Sequence, residues 1–216
     1  MGKIYSSSVK RSKPLVGVTG IIGSGKTTVS RLFGKLGAAI FDADVAAHKS
    51  TEDVEIISRI GETFGNQIFD SNGILDRKKL ANIVFSSESK LRQLNSIVHP
   101  HVRKQMWNFV EVQQELAEVA LIIIDSPLIY ETDLYTHLDF IVVVSSDIEA
   151  CIQRVQQRNG LSREEIQDRL SRQIPLEKKI KRADFNIDNN NQVKSLNKHV
   201  QSVFTNIMRK WESNAD

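Results

Sequence analysis

The segment Gly20-Ile-Ile-Gly-Ser-Gly-Lys26-Thr27 has the spacing G-x-x-x-x-G-K-[ST], which suits the grip of a polyphosphate. Glycines let a backbone turn its N–H groups inward around phosphate oxygens, where side chains would collide. Gly23, Ser24 and Gly25 form the turn, and Lys26 is spaced to reach the β- and γ-phosphates. Thr27 would set its hydroxyl on Mg²⁺, with Thr28 beside it. A glycine turn with a chance lysine could share this composition, but not its context. The β-rich run Leu15–Thr19 precedes the loop. A helix over Lys26–Leu36 follows, with Val29, Leu32, Phe33 and Leu36 three and four apart and Gly37 as its C-cap. The N-terminus of that helix adds partial positive charge under the phosphates. No Asn-Lys-x-Asp segment of the kind that selects guanine is present, so the expected nucleotide is ATP.

Two further sets of residues suit phosphoryl transfer. Asp42 and Asp44 end the apolar run Ala38–Phe41, and Asp125 ends Leu121–Ile124. Ligands of doubly wound sheets bind beyond the carboxyl ends of strands, so all three acids could face the phosphates. One carboxylate is needed to orient or deprotonate the acceptor hydroxyl, another to hold Mg²⁺. Asp125 has the form of a Walker B acid, whereas Asp42 suits a helix cap better than Asp44 does. Arg154 and Arg158 share one helix face and lead through Asn159-Gly160 to Arg163, Arg169 and Arg172. Arginines on such a hairpin can close over ATP, although each alone reads equally as a solvated surface charge.

The elements that must position these groups follow from periodicity. Strands are expected at Leu15–Thr19, Ala38–Phe41, Leu121–Asp125, Phe140–Ser145 and Phe185–Ile187. Helical patterns run over Val54–Phe64, Arg77–Phe85, Glu88–Val98 and onward from about Val102. Further helices are expected at Asp147–Arg158, Ser162–Gln173 and Gln192–Trp211, with Ser162 and Glu165 as a capping box. Asp70-Ser-Asn-Gly73 is a turn. The fold class is therefore α/β, a P-loop kinase fold with a doubly wound parallel sheet, a helical insertion packed at one end of it, and a helical hairpin suited to serve as a lid.

Composition excludes other classes. No apolar run approaches the roughly 18 residues that span a bilayer, so no membrane partner is expected. The net charge of +3 includes four cations in residues 1–13, and aromatic–basic interleaving is absent, so no nucleic-acid partner is expected. Gly2 and Ser6 fit the loose myristoylation pattern, but residues 1–13 read better as a disordered leader. Cys151 is the single cysteine, which rules out an internal disulfide and suits a reducing, cytoplasmic setting.

Together these segments resemble the dephospho-CoA kinase family along nearly the whole chain after the leader. The resemblance is carried by Val16-Gly-Val-Thr-Gly20, Gly23-Ser-Gly-Lys-Thr-Thr28, Asp42-Ala-Asp44, Leu75-Asp-Arg77, Val84-Phe85 and His99-Pro100. It continues through Asp125-Ser-Pro127-Leu128, Glu131, Gln153-Arg154, Arg158, Gln173, Ala183-Asp184 and Ile187-Asp188-Asn189. It implies transfer of the γ-phosphoryl group of MgATP to the ribose 3′-hydroxyl of dephospho-CoA, the last step of coenzyme A synthesis. It implies Asp44 as catalytic base, Lys26 as phosphate clamp and Arg154 as the lid arginine that meets the phosphates. By the same resemblance Asn189 borders the adenine, and Arg77, His99 and Arg103 lie near the acceptor or serve structure alone. The implied parts are a nucleotide-binding core (14–50, 118–150 and 180–216), a helical substrate domain (51–117) and a lid (151–179). A monomer or weak homo-oligomer is expected.

The chain departs from the family pattern at Ile21, where a second glycine is usual, and at His48, where arginine is frequent. A β-branched residue takes positive φ poorly. Ile21 therefore either alters the loop entry or, if the usual glycine only lacks bulk, lines the acceptor site. Competing readings are a kinase for a nucleoside monophosphate and a non-catalytic ATP-dependent switch.

Overall fold

The computed structural model of the protein describes residues 11–190 and 193–214. Two compact units emerge: one runs to Phe41 and resumes at Val110, and the other is Asp42–Phe109.

The first unit is built on a five-stranded sheet of β1 (Leu15–Thr19), β2 (Ala38–Asp42), β3 (Leu121–Asp125), β4 (Phe140–Ser145) and β5 (Phe185–Asp188). The strand order is β2-β3-β1-β4-β5, so β1 is central and the strand order reverses on either side of it. β1 pairs in parallel with β3 and β4, and β4 with β5. Parallel strands covered on both faces need continuous apolar runs, and β1, β3 and β4 are buried along their whole length. Val16, Val18, Leu121, Ile123, Val142, Val144 and Ile187 form one core with Val29 and Phe33 of α1 (Lys26–Gly34). Leu196, Val200, Val203 and Ile207, at alternating steps of four and three along α9 (Val193–Ser213), complete it. Each such side chain is worth about 1.5–3 kcal/mol when fully buried, so the carboxyl edge above this core is rigidly founded. From that edge emerge the 20–25 loop, Asp125, Ser145-Ser146 and Asn189.

The α6–α7 hairpin (Ile148–Asn159 and Arg163–Ser171) has its own small core of Ile152, Val155 and Ile166, against which Ile22, Leu161 and Leu170 pack. Gly160 turns the hairpin at φ 66°, and Ser162 with Glu165 forms the expected capping box. A short helix, α8 (Leu176–Arg182), follows.

The second unit contains α2 (Ala43–Ser50), α3 (Val54–Phe64), α4 (Arg77–Phe85) and most of α5 (Glu88–Glu115). Its core is Ile56, Ile60, Phe64, Ile68, Leu80, Val84, Ile97 and Val98. Asp53 and Asp76 cap α3 and α4 through backbone N–H groups, and Gly73 N–H closes the expected turn on Asp70 O at 3.1 Å.

Three expectations are corrected. The two helices expected on either side of His99-Pro100 are one helix, because Pro100 removes a single i→i−4 donor while Ile97, Val98 and Met106 anchor the flanking turns. α1 ends at Gly34 rather than Leu36, and its exit turn holds Gly37 at φ 94°. The leader, expected to be disordered to 13, is tied down from Arg11. Arg11 pairs with Asp139 at 2.9 Å, and Lys13 Nζ donates to Gln113 O and Gln114 O at the end of α5. Its first ten residues lie outside the described residues.

Candidate active site

The phosphate loop takes its shape from what presses on it. Gly23 and Gly25 adopt φ 82° and 95°, a region side chains avoid. A Cβ on Gly23 would stand 2.4 Å from Cys151 O of α6, and one on Gly25 would stand 2.1 Å from Asn189 Nδ2. The loop is thus wedged between the first turns of the hairpin and the strand end at 189. Gly25 is the N-cap of α1 and has no side chain to occupy the amides there, so that helix end is open to an anion. Lys26 is half-buried, with Nζ 3.4 Å from Ile21 O, which also accepts from Ser24 N at 3.2 Å. Thr27 and Thr28 are exposed. Ser24 Oγ and Thr19 Oγ1 are buried beneath the loop without a hydrogen-bond partner.

Ile21 resolves the departure noted in the sequence. Among the described residues Asp133 is the non-glycine residue with positive φ, so Ile21 holds an ordinary backbone conformation. It is 3% exposed and serves as packing under the loop.

Arg154 joins three strand ends. Its Nη1 donates to Gly23 O at 3.3 Å and Ser146 Oγ at 3.0 Å, and its Nη2 to Asn189 O at 3.1 Å. Asn189 Nδ2 in turn donates to Ser24 O at 2.8 Å. Lys26, Arg154 and Asn189 therefore gather around the loop. Arg158, one turn further along α6, is exposed and donates to Asn159 Oδ1 at 2.9 Å. Arg163 forms a forked pair with Glu149 at 2.8 and 2.6 Å, and Arg172 pairs with Asp168 at 2.8 Å. Both pairs join residues of the hairpin itself, Arg163 reaching from α7 to α6 and Arg172 back along α7. Cys151 is fully buried, and burial raises its thiol pKa, so it acts as packing.

Asp125 is 5% exposed, and its Oδ2 accepts from Ser30 Oγ at 2.8 Å. Ser30 lies one helical turn beyond Thr27, so α1 carries both a candidate metal hydroxyl and the group that aims the candidate metal carboxylate. This hard-oxygen pair fits Mg²⁺, which takes one or two protein oxygens and completes its octahedron with phosphate and water.

In the second unit Asp42 caps α2 through Val45 N at 2.9 Å, as its position suggested. That leaves Asp44 in the first helical turn, exposed. Arg77 contacts the His48 ring, His48 O at 3.3 Å and Glu52 Oε1 at 2.9 Å. His99 and Arg103 are one turn apart on α5; burial and then the Arg103 charge lower the His99 pKa below 6.5.

Sequence reasoning missed Ser30, Ser146 and Lys179, and gave Glu131 no role. Lys179 is fully buried and bonds Glu131 Oε1 at 2.8 Å and Pro127 O at 2.6 Å. Burial lowers its pKa and the Glu131 pair works against that. The sequence signal was slight: Lys179 shares a helix face with Leu176 and Ile180 in a segment otherwise made of charged residues.

A sequence profile described as dephospho-CoA kinase matches residues 14–195. A dephospho-CoA kinase of Leptospira interrogans is 36% identical over 197 residues, covering 91% of this chain and 94% of its own. A Thermus thermophilus protein of solved structure aligns with TM-score 0.75 at 32% identity, over 90% of this chain and 97% of its own. A dephospho-CoA kinase structure from Campylobacter jejuni gives TM-score 0.60 at 28% identity, over 90% and 97%.

Proposed function

The chain belongs to the dephospho-CoA kinase family, and from that premise we propose how it transfers the γ-phosphoryl group of ATP to the ribose 3′-hydroxyl of dephospho-CoA. The observation that carries the reading is the phosphate loop and its lysine inside a family match spanning residues 14–195.

The loop amides and the N-terminus of α1 hold the phosphates, and Lys26 spans the β- and γ-groups. Arg154 stabilises charge on the transferring group, Arg158 assists at the triphosphate, and Asn189 borders the adenine. Asp44 orients the ribose hydroxyl and accepts its proton as the oxygen bonds to phosphorus and ADP leaves. Arg77, His99 and Arg103 hold the acceptor. Mg²⁺, held by Thr27 and Asp125, would neutralise charge on the phosphate oxygens. The supporting features are the aimed Asp125 carboxylate, the grouping of Arg154 and Asn189 on the loop, and the exposed position of Asp44 in the first turn of α2, beside the Asp42 cap. We also propose a 51–117 substrate domain, a 151–179 lid, a cytoplasmic setting and a monomer or weak homo-oligomer; no described helix is long and apolar enough to cross a membrane.

The test is ADP release from MgATP with dephospho-CoA, beside nucleoside monophosphates, for wild type and Asp44→Asn. Turnover confined to dephospho-CoA and lost in the variant is expected. Turnover with a monophosphate instead would replace the substrate assignment, and turnover surviving in Asp44→Asn would move the base elsewhere.

A further inference from the structure

Gln173 stands at the exit of the α6–α7 hairpin, 151 residues from the phosphate loop in sequence, and its Oε1 accepts from Ile22 N at 3.1 Å. The Ile22 N–H and the Ile21 carbonyl belong to one peptide plane and, in a trans peptide, point in opposite directions. Fixing the N–H therefore fixes the carbonyl. That carbonyl accepts from Lys26 Nζ at 3.4 Å and from Ser24 N at 3.2 Å.

The geometry points to Gln173 as a positioning residue for Lys26, acting through the Ile21–Ile22 peptide. The inference rests on the phosphoryl-transfer reading above, in which Lys26 meets the phosphates.

Two independent features stiffen the arrangement. The Ile22 side chain packs on the hairpin core of Ile152, Val155 and Ile166, so the hairpin holds this residue by both its side chain and its backbone. The next residue along, Ile174, donates its N–H to Glu131 Oε1 at 2.8 Å, and Glu131 is pinned by the buried Lys179. Residues 173 and 174 therefore bridge the phosphate loop on one side and the segment after β3 on the other. A shift of the hairpin exit would rotate the peptide that presents its carbonyl to Lys26. A misplacement of about 1 Å in such a contact can cost about 100-fold in rate.

Methionine at 173 keeps the length of glutamine and lacks the acceptor, whereas glutamate keeps an acceptor oxygen. With dephospho-CoA as acceptor, Gln173→Met is expected to lower kcat by about 10- to 100-fold and to leave the KM for dephospho-CoA unchanged. Gln173→Glu should keep kcat within about 5-fold of wild type while raising the KM for MgATP, since its charge opposes the phosphates. Equal losses in the two variants, or a Gln173→Met enzyme as fast as wild type, would overturn the proposal. In the wild-type protein, hydrogen exchange at the Ile22 amide should be slowed, and free exchange there would overturn it without any variant. Failure of wild type on dephospho-CoA would instead strike the functional reading.

Discussion

The Ser30 hydroxyl donates to Asp125 Oδ2 across 2.8 Å, and both side chains are buried. The carboxylate at the end of β3 is thereby aimed by α1, the helix that carries Lys26 and Thr27. Ser30→Ala removes the aiming group without touching nucleotide. It should raise the Mg²⁺ concentration for half-maximal turnover by about 10-fold, the scale of a lost outer-shell partner. It should also cost about 1–3 kcal/mol of stability by taking a hydrogen bond from a buried carboxylate. A Mg²⁺ titration and a urea melt check the two effects; an unchanged titration would separate Asp125 from the metal.

Gly25→Ala and Gly160→Ala make a paired comparison. Both glycines have positive φ, but a Cβ at 160 meets nothing within 4 Å, whereas one at 25 meets Asn189 Nδ2 at 2.1 Å. Gly160→Ala should cost about 1 kcal/mol from backbone strain and leave ATP binding intact. Gly25→Ala should cost more and abolish ATP binding, as read by calorimetric titration.

Much of this site is legible in the order of the amino acids. β3 reads as Leu-Ile-Ile-Ile-Asp because a strand buried on both faces has no polar interruptions, and the phosphate loop is readable because its glycines and lysine lie between a strand pattern and a helix pattern. Asp42 is separable from Asp44 because an N-cap has a fixed position relative to its helix. What stays hidden depends on tertiary register. Ser30 looks like any helix serine until β3 is laid beside α1. Gln173 falls within a family pattern, yet its partner is a backbone N–H, which leaves no trace in sequence. Lys179 is hidden for the opposite reason: α8 reads as a charged surface segment, and a buried ion pair overrides that reading. Pro100 misleads because one lost hydrogen bond looks like a boundary in sequence, whereas packing of Ile97, Val98 and Met106 decides the matter.

The buried pair of Lys179 and Glu131 gives a stability prediction with a built-in control. Lys179→Met strands a carboxylate whose Oε2 already lacks a partner, and should cost about 3–5 kcal/mol. The double variant Lys179→Met/Glu131→Leu removes both charges and should be less destabilised than Lys179→Met alone, by chemical denaturation. A double variant weaker than the single would mean that Glu131 is needed chiefly for Ile174 N–H.

His99 should make stability fall on acidification. Its pKa is held below the ordinary 6.5, chiefly by burial and then by Arg103, so the unfolded chain takes up the proton first. No penalty exists well above 6.5, and stability is lost as pH falls through that value towards the lower folded pKa. Urea midpoints should therefore drop between about pH 7.5 and 5.5, and His99→Gln should flatten part of that slope. An identical slope in the variant would place the proton uptake at another group.

The most direct test of the central claim follows the phosphorus atom. With γ-labelled ATP, Mg²⁺ and dephospho-CoA, the account predicts label in coenzyme A as a 3′-phosphomonoester, one equivalent of ADP per label transferred, and loss of both in Lys26→Met. Label released as free phosphate, or carried by a nucleoside monophosphate while dephospho-CoA stays unlabelled, would contradict it.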